Sequence, residues 1–229
     1  KNGEYLGLYD ADRTLVHDYS PAFIPQYENI SFGVPLALVQ DTTVWVSNTS
    51  PVSALCPSNA LLGSTWRLQA FDDAGWLAGL LPAGFATKNP SWLSQINLSL
   101  QSIALGRPGV YLRVPFFVQE AAAVRSLSFT MSYDDGAAVY INGAFACGAN
   151  ILPQETLSHT SYAASILGDP ATLSPVDITS CTNALTGGQN ILSVHLMNAN
   201  ASSSDLFLKP ALTAVSQVLV ATNEPGFLI

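Results

Sequence analysis

The sequence has few charged side chains. Lysine, arginine, aspartate and glutamate together account for 10% of its 229 residues, compared with about 25% in ordinary soluble domains. Acidic residues outnumber basic ones by 16 to 8, and the basic residues are scattered, whereas nucleic-acid binding needs a basic stripe facing the phosphates. We therefore expect no nucleic-acid partner. We expect attached glycans, or burial of surface in an assembly, to compensate for the scarcity of charge.

Long apolar segments are also absent. No apolar run approaches the roughly 18 to 20 residues that a membrane-spanning helix needs, so the sequence predicts no membrane span. The chain opens on Lys1 rather than methionine and carries no charged-then-apolar leader, which we interpret as the result of removing a secretory signal. The expected localisation is extracellular, either secreted or at the cell surface.

Common catalytic motifs are missing. The sequence contains no GxSxG elbow, HExxH, P-loop or GxGxxG, and these patterns carry the commonest hydrolytic and nucleotide chemistries. Two aspartate pairs occur, but adjacent residues of an extended chain point to opposite faces, so neither pair can converge on one sugar bond. His195 alternates with Ser193 and Met197, which is typical of a structural position in a sheet. We expect a non-catalytic protein.

Cysteine is scarce and odd in number. Cys56, Cys147 and Cys181 include no CxxC pair and have no histidine at ligand spacing, so a zinc site, and a resident metal generally, is not expected. In a secreted protein the simplest arrangement is one disulfide and one thiol. We favour a Cys147–Cys181 pair, a Cys56–Cys147 pair is nearly as plausible, and three free thiols are the remaining alternative.

Glycosylation motifs are frequent. N-x-[ST] triplets occur at Asn29, Asn48, Asn97 and Asn200, while about two would arise by chance at this serine and threonine content. Combined with the low charge, they predict a glycoprotein with at least two occupied sites.

The remaining sequence is dense in β-strand signals. We expect strands at 34–46, 65–71, 111–118, 126–133, 137–141, 191–197 and 212–221, separated by glycine-rich and proline-rich turns. Only 121–124 and 162–167 can hold a helical turn. The spacing predicts an all-β fold, an antiparallel β-sandwich or jelly roll, because a parallel sheet would need helices between the strands. We divide the chain into an extended N-terminal arm (1–30), the sandwich (31–221) and a C-terminal tail (222–229).

The stretch YDDGAAVYINGAFACG (133–148) reads as turn, strand and turn. Asn142-Gly143 tolerates the positive φ angles of a type I′ hairpin turn. Asp134-Asp135-Gly136 predicts a turn in which a carboxylate accepts a backbone N–H bond from two residues further on. The alternative role for Asp134 and Asp135 is contact with calcium, the one cofactor under consideration, or with a sugar.

Tryptophans offer a second candidate for sugar contact. Trp66, Trp76 and Trp92 can form a platform on which pyranose rings stack. In the alternative interpretation Trp66 belongs to the core, and Trp76 and Trp92 pin long loops against the sandwich.

The order of these pieces resembles a known family. The tryptophan-bearing loops, GVYLRVPFFV, SLSFTMSYDDGAAVYING and LTGGQNILSVHLMN are similar to the galactose-binding-like jelly-roll domains of secreted and surface proteins, including those preceding PEP-CTERM-type sorting tails. The resemblance covers about 63–215, and its strongest element pairs DDGxxVYxNG with a later GxNxLxV strand. It implies the fold, and a role as sugar binder, enzyme accessory domain or scaffold. The C-terminal tail lacks the apolar span and basic end of a sorting tail.

Both ends of the chain are apolar. Tyr5, Leu6, Leu8 and Tyr9 lie near the start and Phe227 and Leu228 near the finish. An added strand can pair with the open edge of a sandwich in another copy, and we rate this about equal to folding of the arm onto its own sandwich. Our favoured interpretation is an extracellular structural glycoprotein that self-assembles into a surface fibre or layer by strand addition. The alternative is a carbohydrate-binding module.

Overall fold

The computed structural model describes residues 4–23, 31–33, 36–221 and 226–228. The chain divides into two compact units, one formed by residues 1–39 and 218–229 and the other by residues 40–217. The strands of the described residues are β1 Leu6–Tyr9, β2 Leu15–Tyr19, β3 Ser31–Gly33, β4 Leu36–Val46, β5 Pro51–Leu55, β6 Leu77–Leu80, β7 Ala83–Ala86, β8 Leu98–Ser99, β9 Gly109–Val118, β10 Val124–Asp134, β11 Gly136–Ile141, β12 Ala144–Ala149, β13 Ala171–Asp177, β14 Gly188–Met197, β15 Asp205–Ala221 and β16 Gly226–Leu228.

Helices in the described part of the chain are short. The α-helix α1 spans Gln101–Ala104, and 3₁₀ helices occupy Thr65–Arg67, Leu93–Gln95, Ala121–Ala123, Gln154–Thr156 and Thr179–Ala184. None of them is long and apolar enough to cross a membrane. The architecture is therefore carried by strands.

The larger unit is a β-sandwich. Its first sheet has the strand order β13-β10-β15-β7-β8, with β4 also paired to β15, and its second sheet has the order β12-β11-β14-β9-β5-β6. Every strand pair described in the two sheets is antiparallel except β7 with β8. The all-β sandwich predicted from the sequence is thus confirmed.

The core lies between the two sheets. Leu127, Phe129 and Met131 of β10 are buried, and the intervening serines and threonine are only half-buried, because alternate side chains of a strand point to opposite faces. Leu112 of β9 and Val194 of β14 belong to the same apolar cluster. The alternation seen in the sequence therefore marks the inward face.

The outer face of the second sheet is covered as well. A second apolar cluster unites Trp66 and Tyr140 with residues of β9 and β14, and every residue of β14 from Asn190 to Met197 is buried. Trp66 stacks on Tyr111 with ring centroids 4.0 Å apart. Loops thus form a lid over this sheet.

Arg113 fastens that lid. Its guanidinium is 1% exposed and lies 3.1 Å from the carboxylate of Asp73, and it donates hydrogen bonds to the carbonyl oxygens of Trp66, Leu68 and Phe71. A buried arginine is tolerated only when its charge and its fork of donors are both satisfied. Arg113 therefore holds the lid segment in place, although that segment contains almost no regular secondary structure.

Most of the predicted strands are confirmed, with local errors. Segment 65–71 is a 3₁₀ helix followed by turns instead of a strand, because its main-chain carbonyls bind Arg113 instead of a neighbouring strand. Segment 162–167 contains no helix, whereas the expected turn at 121–124 exists as Ala121–Ala123. The expectation that helical turns occur in those two segments alone was wrong, because five further short helices lie in loops elsewhere. Strands β2, β3, β5 to β8, β13 and β16 were not predicted, since they are short or lack a clean alternation.

The predicted hairpin is confirmed. Strands β11 and β12 pair antiparallel around Asn142-Gly143, whose φ angles are 48° and 94°. Two consecutive positive φ values define the type I′ geometry.

Candidate functional site

The smaller unit presents apolar strands to solvent. Strands β1 and β2 pair with each other and with no other strand among the described residues. Tyr5, Leu6, Leu8 and Tyr9 are 49%, 54%, 63% and 50% exposed. Seven further apolar side chains of this unit are also exposed, namely Leu15, Val16, Leu38, Val39, Val218, Leu219 and Val220. An isolated two-stranded ribbon has no third layer to cover its faces, so the apolar side chains named at the start of the sequence lie on the surface.

The C-terminal residues named with them lie in β16. Residues Phe227 and Leu228 pair through the main chain with Phe32 and Ser31 of β3. Their side chains lie outside the described part of the structure. The predicted assembly residues are therefore split between two small strand pairs.

A groove crosses the outer face of the first sheet. It has a volume of about 730 Å³ and is lined by Thr130, Thr172, Lys209, Gln95 and Asp169, together with Trp92, which packs on Phe207 at 5.1 Å between centroids. The ammonium of Lys209 donates to the side-chain oxygen of Gln95 at 3.1 Å. Hydroxyl, amide and charged groups beside an aromatic ring match what a sugar needs.

Sequence reasoning found only part of this groove. Trp92 was singled out, but Lys209, Gln95 and Asp169 were not. The signal for Lys209 was its alternation with Leu208 and Pro210 in β15, which places it on the outward face beside Phe207.

The three tryptophans do not form one platform. Trp66 is fully buried in the lid, Trp76 packs beside it on Phe71 at 5.6 Å, and Trp92 lies on the other sheet against Phe207. The predicted common stacking surface is therefore wrong. The interpretation of Trp66 as a core residue is confirmed, and Trp92 keeps access to a groove through the 8% of its surface that is exposed.

The aspartate pair is buried instead of lying in an open turn. Asp134 and Asp135 are each 1% exposed. The carboxylate of Asp135 accepts the backbone N–H groups of Leu167 and Ala199, both at 2.7 Å, and the hydroxyl of Ser203 at 3.4 Å. The predicted bond from a residue two positions on is replaced by long-range bonds, so Asp135 ties together two loops that the sequence does not bring into proximity.

Asp134 behaves differently from its neighbour. Burial, followed by the adjacent Asp135 carboxylate, raises the pKa of Asp134 to about 8, and one of its carboxyl oxygens has no hydrogen-bond partner. The side chain is thus neutral at pH 7. In the part of the chain that the structure describes, no three histidine, cysteine or acidic side chains are arranged to hold a metal ion, and contact of this pair with calcium or a sugar stays a prediction.

The cysteines are free thiols in the structure. Cys147 and Cys181 are buried and Cys56 is half-buried, and burial, then the neighbouring Cys181, raises the pKa of Cys147 to about 12. Cys181 donates to the carbonyl oxygen of Phe145 at 3.7 Å. A disulfide between Cys147 and Cys181 is not formed here and remains a prediction.

The glycosylation motifs lie in different environments. Asn48 is exposed in the turn after β4, and Asn200 is half-buried in the loop after β14. The side-chain nitrogen of Asn97 donates to the carbonyl oxygen of Leu81 at 2.6 Å. Asn29 lies outside the described residues. Asn97 is exposed like Asn48, and it differs from the other described motifs in that its side-chain nitrogen is engaged by a main-chain carbonyl.

His195 is a buried residue of β14. It is 1% exposed, stands edge-on to Tyr111 at 4.9 Å between centroids, and burial with help from Arg67 and His159 lowers its pKa to about 3. The ring is neutral at pH 7, in agreement with the structural role predicted for it.

No protein-family model matches the sequence, and no curated protein matches it. Among solved structures, the chain is similar to β-glucuronidase 2 of Bacteroides uniformis (TM-score 0.48, 17% identity, 77% of this chain and 18% of that chain). It is also similar to a β-glucuronidase of an uncultured Clostridium sp. (0.45, 10%, 85% and 30%) and a β-glycosidase of Bacteroides vulgatus (0.44, 10%, 79% and 20%). The chain spans less than a third of these structures, and likenesses at this level do not transfer an activity.

Proposed function

We propose that the chain is a non-catalytic structural subunit that assembles with copies of itself. The observation that supports this is the exposure of the β1–β2 ribbon, where Leu6 and Leu8 are more than half exposed on a strand that pairs with β2 alone among the described residues. Monomeric soluble proteins seldom leave contiguous apolar patches uncovered, and an open strand edge is a template for another chain. Strand addition from a neighbouring copy pairs the open edge through main-chain hydrogen bonds and also buries the exposed apolar side chains.

The geometry of such a contact favours a fibre or layer. Strand donation joins two different surfaces, and a head-to-tail contact of this kind propagates unless its rotation closes a ring. In this proposal the subunit is extracellular and carries glycans on exposed asparagines such as Asn48, which supply the solubility that its few charges do not. The ribbon is the connector, and the sandwich is the body of the subunit.

The test is a pair of charge insertions with a matched control. The double variant Leu6→Lys/Leu8→Lys places two cations on one face of the ribbon. The control Leu61→Lys/Ile166→Lys changes two side chains that are 89% and 71% exposed in the larger unit. Light scattering and negative-stain imaging should show large particles for the wild type and the control. The ribbon variant should be monomeric, with assembly reduced at least about tenfold.

Two outcomes contradict the proposal. One is a wild-type protein that stays monomeric at high concentration, and the other is a ribbon variant that assembles like the wild type. Deleting residues 1–26 should likewise leave a folded sandwich that no longer polymerises.

The groove supports a second candidate function, carbohydrate binding. Its lining includes Lys209, Gln95, Trp92 and Asp169. Affinity electrophoresis in polysaccharide gels should show retardation that falls at least about tenfold in Lys209→Met, while Lys88→Met, an exposed lysine outside the groove, should behave as wild type. A protein that migrates unretarded through every polysaccharide would exclude this function, whatever its state of assembly.

A further inference from the structure

A small pocket opens in the lid of the second sheet, on the opposite side of the sandwich from the groove. Its volume is about 260 Å³, and its lining includes Ser64, Arg67, Tyr111, Gln154 and His159. The walls come from the segment around the 3₁₀ helix Thr65–Arg67 and from the segment 154–159. At about 30 Å³ for each water in the liquid, the volume corresponds to roughly nine waters, so it accommodates one ring-sized molecule.

Arg67 is an unpaired cation in this pocket. Its guanidinium lies over the ring of Tyr140 at 4.0 Å and near the ring of Trp66 at 5.4 Å. The Nε atom is buried and has no hydrogen-bond partner. Within the described residues the one salt bridge is Arg113 with Asp73, so Arg67 has no anionic partner there. Burying part of a guanidinium without an anion is costly, whereas the Nε atom of Arg113 has the carboxylate of Asp73 3.1 Å away.

Further polar atoms near Arg67 also lack partners. They are Nε1 of Trp66, Nδ1 of His159 and Nε2 of His195, and of these three residues His159 lines the pocket. Native proteins leave few buried polar atoms unpaired. The ring of Trp66 contacts that of Tyr140 edge-on at 6.1 Å, and Arg67 and His159 both contribute to lowering the pKa of His195.

The guanidinium of Arg67 can only donate, so its partner in the pocket must be an acceptor. The single carboxylate on the pocket lining belongs to Glu155, which is exposed at the rim. In a protein with a net charge of -8, a pocket with an unpaired arginine and a histidine is a local exception that favours an anion.

We propose that this pocket binds a ring-bearing monocarboxylate, whose carboxylate pairs with the guanidinium of Arg67 and whose ring contacts Tyr111. Arginine presents a planar fork that matches a carboxylate. The aromatic wall provides the apolar contact that a bare inorganic anion cannot use. This site is independent of assembly and of the groove, and each can fail without the other.

Titration calorimetry on the full chain tests the proposal with matched ligands. Benzoate and D-galacturonate represent an aromatic and a sugar acid, and benzamide and D-galactose are their neutral counterparts. We expect saturable binding of one acid, with its neutral counterpart at least about tenfold weaker. Inorganic phosphate is expected to bind at least about tenfold more weakly than that acid, because it lacks the ring.

Variants locate the site. Arg67→Met should weaken binding of the acid at least about tenfold, Arg67→Lys should weaken it less, and Arg125→Met, which removes an exposed arginine, should leave it unchanged. If Arg67→Met does not fold, His159→Gln provides the second measurement, with an expected loss of about threefold or more.

Three results would overturn the proposal. They are no binding of either acid at about 10 mM, equal binding of an acid and its neutral counterpart, and unchanged affinity in the arginine and histidine variants. Phosphate binding as tight as that of the acids would reduce the site to a general anion pocket and would also refute it.

Discussion

The side-chain amide of Asn142 donates a hydrogen bond to the side-chain oxygen of Asn190 at 2.7 Å. Asn142 also accepts the backbone N–H of Ile191 at 2.8 Å, and Asn190 donates to the carbonyl oxygens of Thr186 and Gly188 at 2.8 and 3.0 Å. The turn of DDGxxVYxNG and the start of GxNxLxV are therefore joined directly. This contact explains why the two motifs occur together.

Removal of the buried amide should be costly. Asn190→Ala removes one of the two acceptors of the Asn142 amide and the side-chain acceptor of the Thr186 N–H, and we expect the free energy of unfolding to fall by about 2 to 3 kcal/mol. The exposed Asn89→Ala is the control and should change stability by less than about 0.5 kcal/mol. Urea unfolding measures both. In a cycle with Asn142→Gly, which keeps the turn geometry, strictly additive effects would show that the two side chains are not coupled.

The hairpin turn should not tolerate a branched residue at Gly143. Its φ of 94° is strained for any L side chain, and an added Cβ would lie 2.9 Å from Cδ2 of Leu68. We expect Gly143→Val to destabilise the protein by about 1 kcal/mol or more. Gly75→Val, at an exposed position with no atom within 4 Å, is the control in the same thermal scan. Equal melting temperatures for the two variants would contradict the turn.

Asp134 should make stability fall as the pH rises. The unfolded chain loses this proton near its ordinary pKa of 3.8, whereas the folded state holds it to about pH 8. The contribution of Asp134 to the free energy of unfolding is therefore complete below about pH 4 and disappears towards about pH 8. The free energy of unfolding changes by at most about 1.4 kcal/mol per pH unit over this range.

His195 acts in the opposite direction. Its folded pKa of about 3 lies below the ordinary 6.5, so its contribution to the free energy of unfolding is present above about pH 6.5 and is lost as the pH falls.

Urea titrations should show a difference in stability between the wild type and Asp134→Asn that declines between about pH 4 and pH 8. A constant difference would mean that Asp134 is already ionised in the folded protein.

Glycans should occupy Asn48 and Asn200 but not Asn97. Asn48 is exposed, and the side-chain nitrogen of Asn200 makes no hydrogen bond to the described residues, while its oxygen accepts the N–H of Ser202 at 2.8 Å. The side-chain nitrogen of Asn97 donates a hydrogen bond to the carbonyl oxygen of Leu81. Intact-mass spectrometry of natively sourced protein should show one glycan fewer in Asn48→Gln and in Asn200→Gln and no change in Asn97→Gln. A bare polypeptide mass would refute glycosylation altogether.

Local patterns determined much of the fold. The alternation of Leu127, Phe129 and Met131 predicts β10, and Asn142-Gly143 predicts the hairpin, because side-chain period and positive φ are properties of a few adjacent residues. The composition likewise indicates a sparsely charged surface with exposed apolar side chains. These features can be read from the sequence because they depend on composition and on neighbours along the chain.

The tertiary structure alone decided what covers each face of the sandwich. Segment 65–71 carries apolar residues that resemble a strand, but Arg113, more than forty positions away, recruits its carbonyls into a lid. Asp135 reaches Leu167 and Ala199 in the same way. Such pairings depend on which loops meet after the sheets have formed.

The candidate sites follow the same division. Trp92 and the apolar start of the chain were identified from residue type, whereas the groove beside Lys209 and the pocket around Arg67 were not. Each of those sites combines residues from separate segments, and their proximity results from sheet order and lid packing. A lone lysine or arginine carries no local pattern that reveals whether its charge will meet a partner.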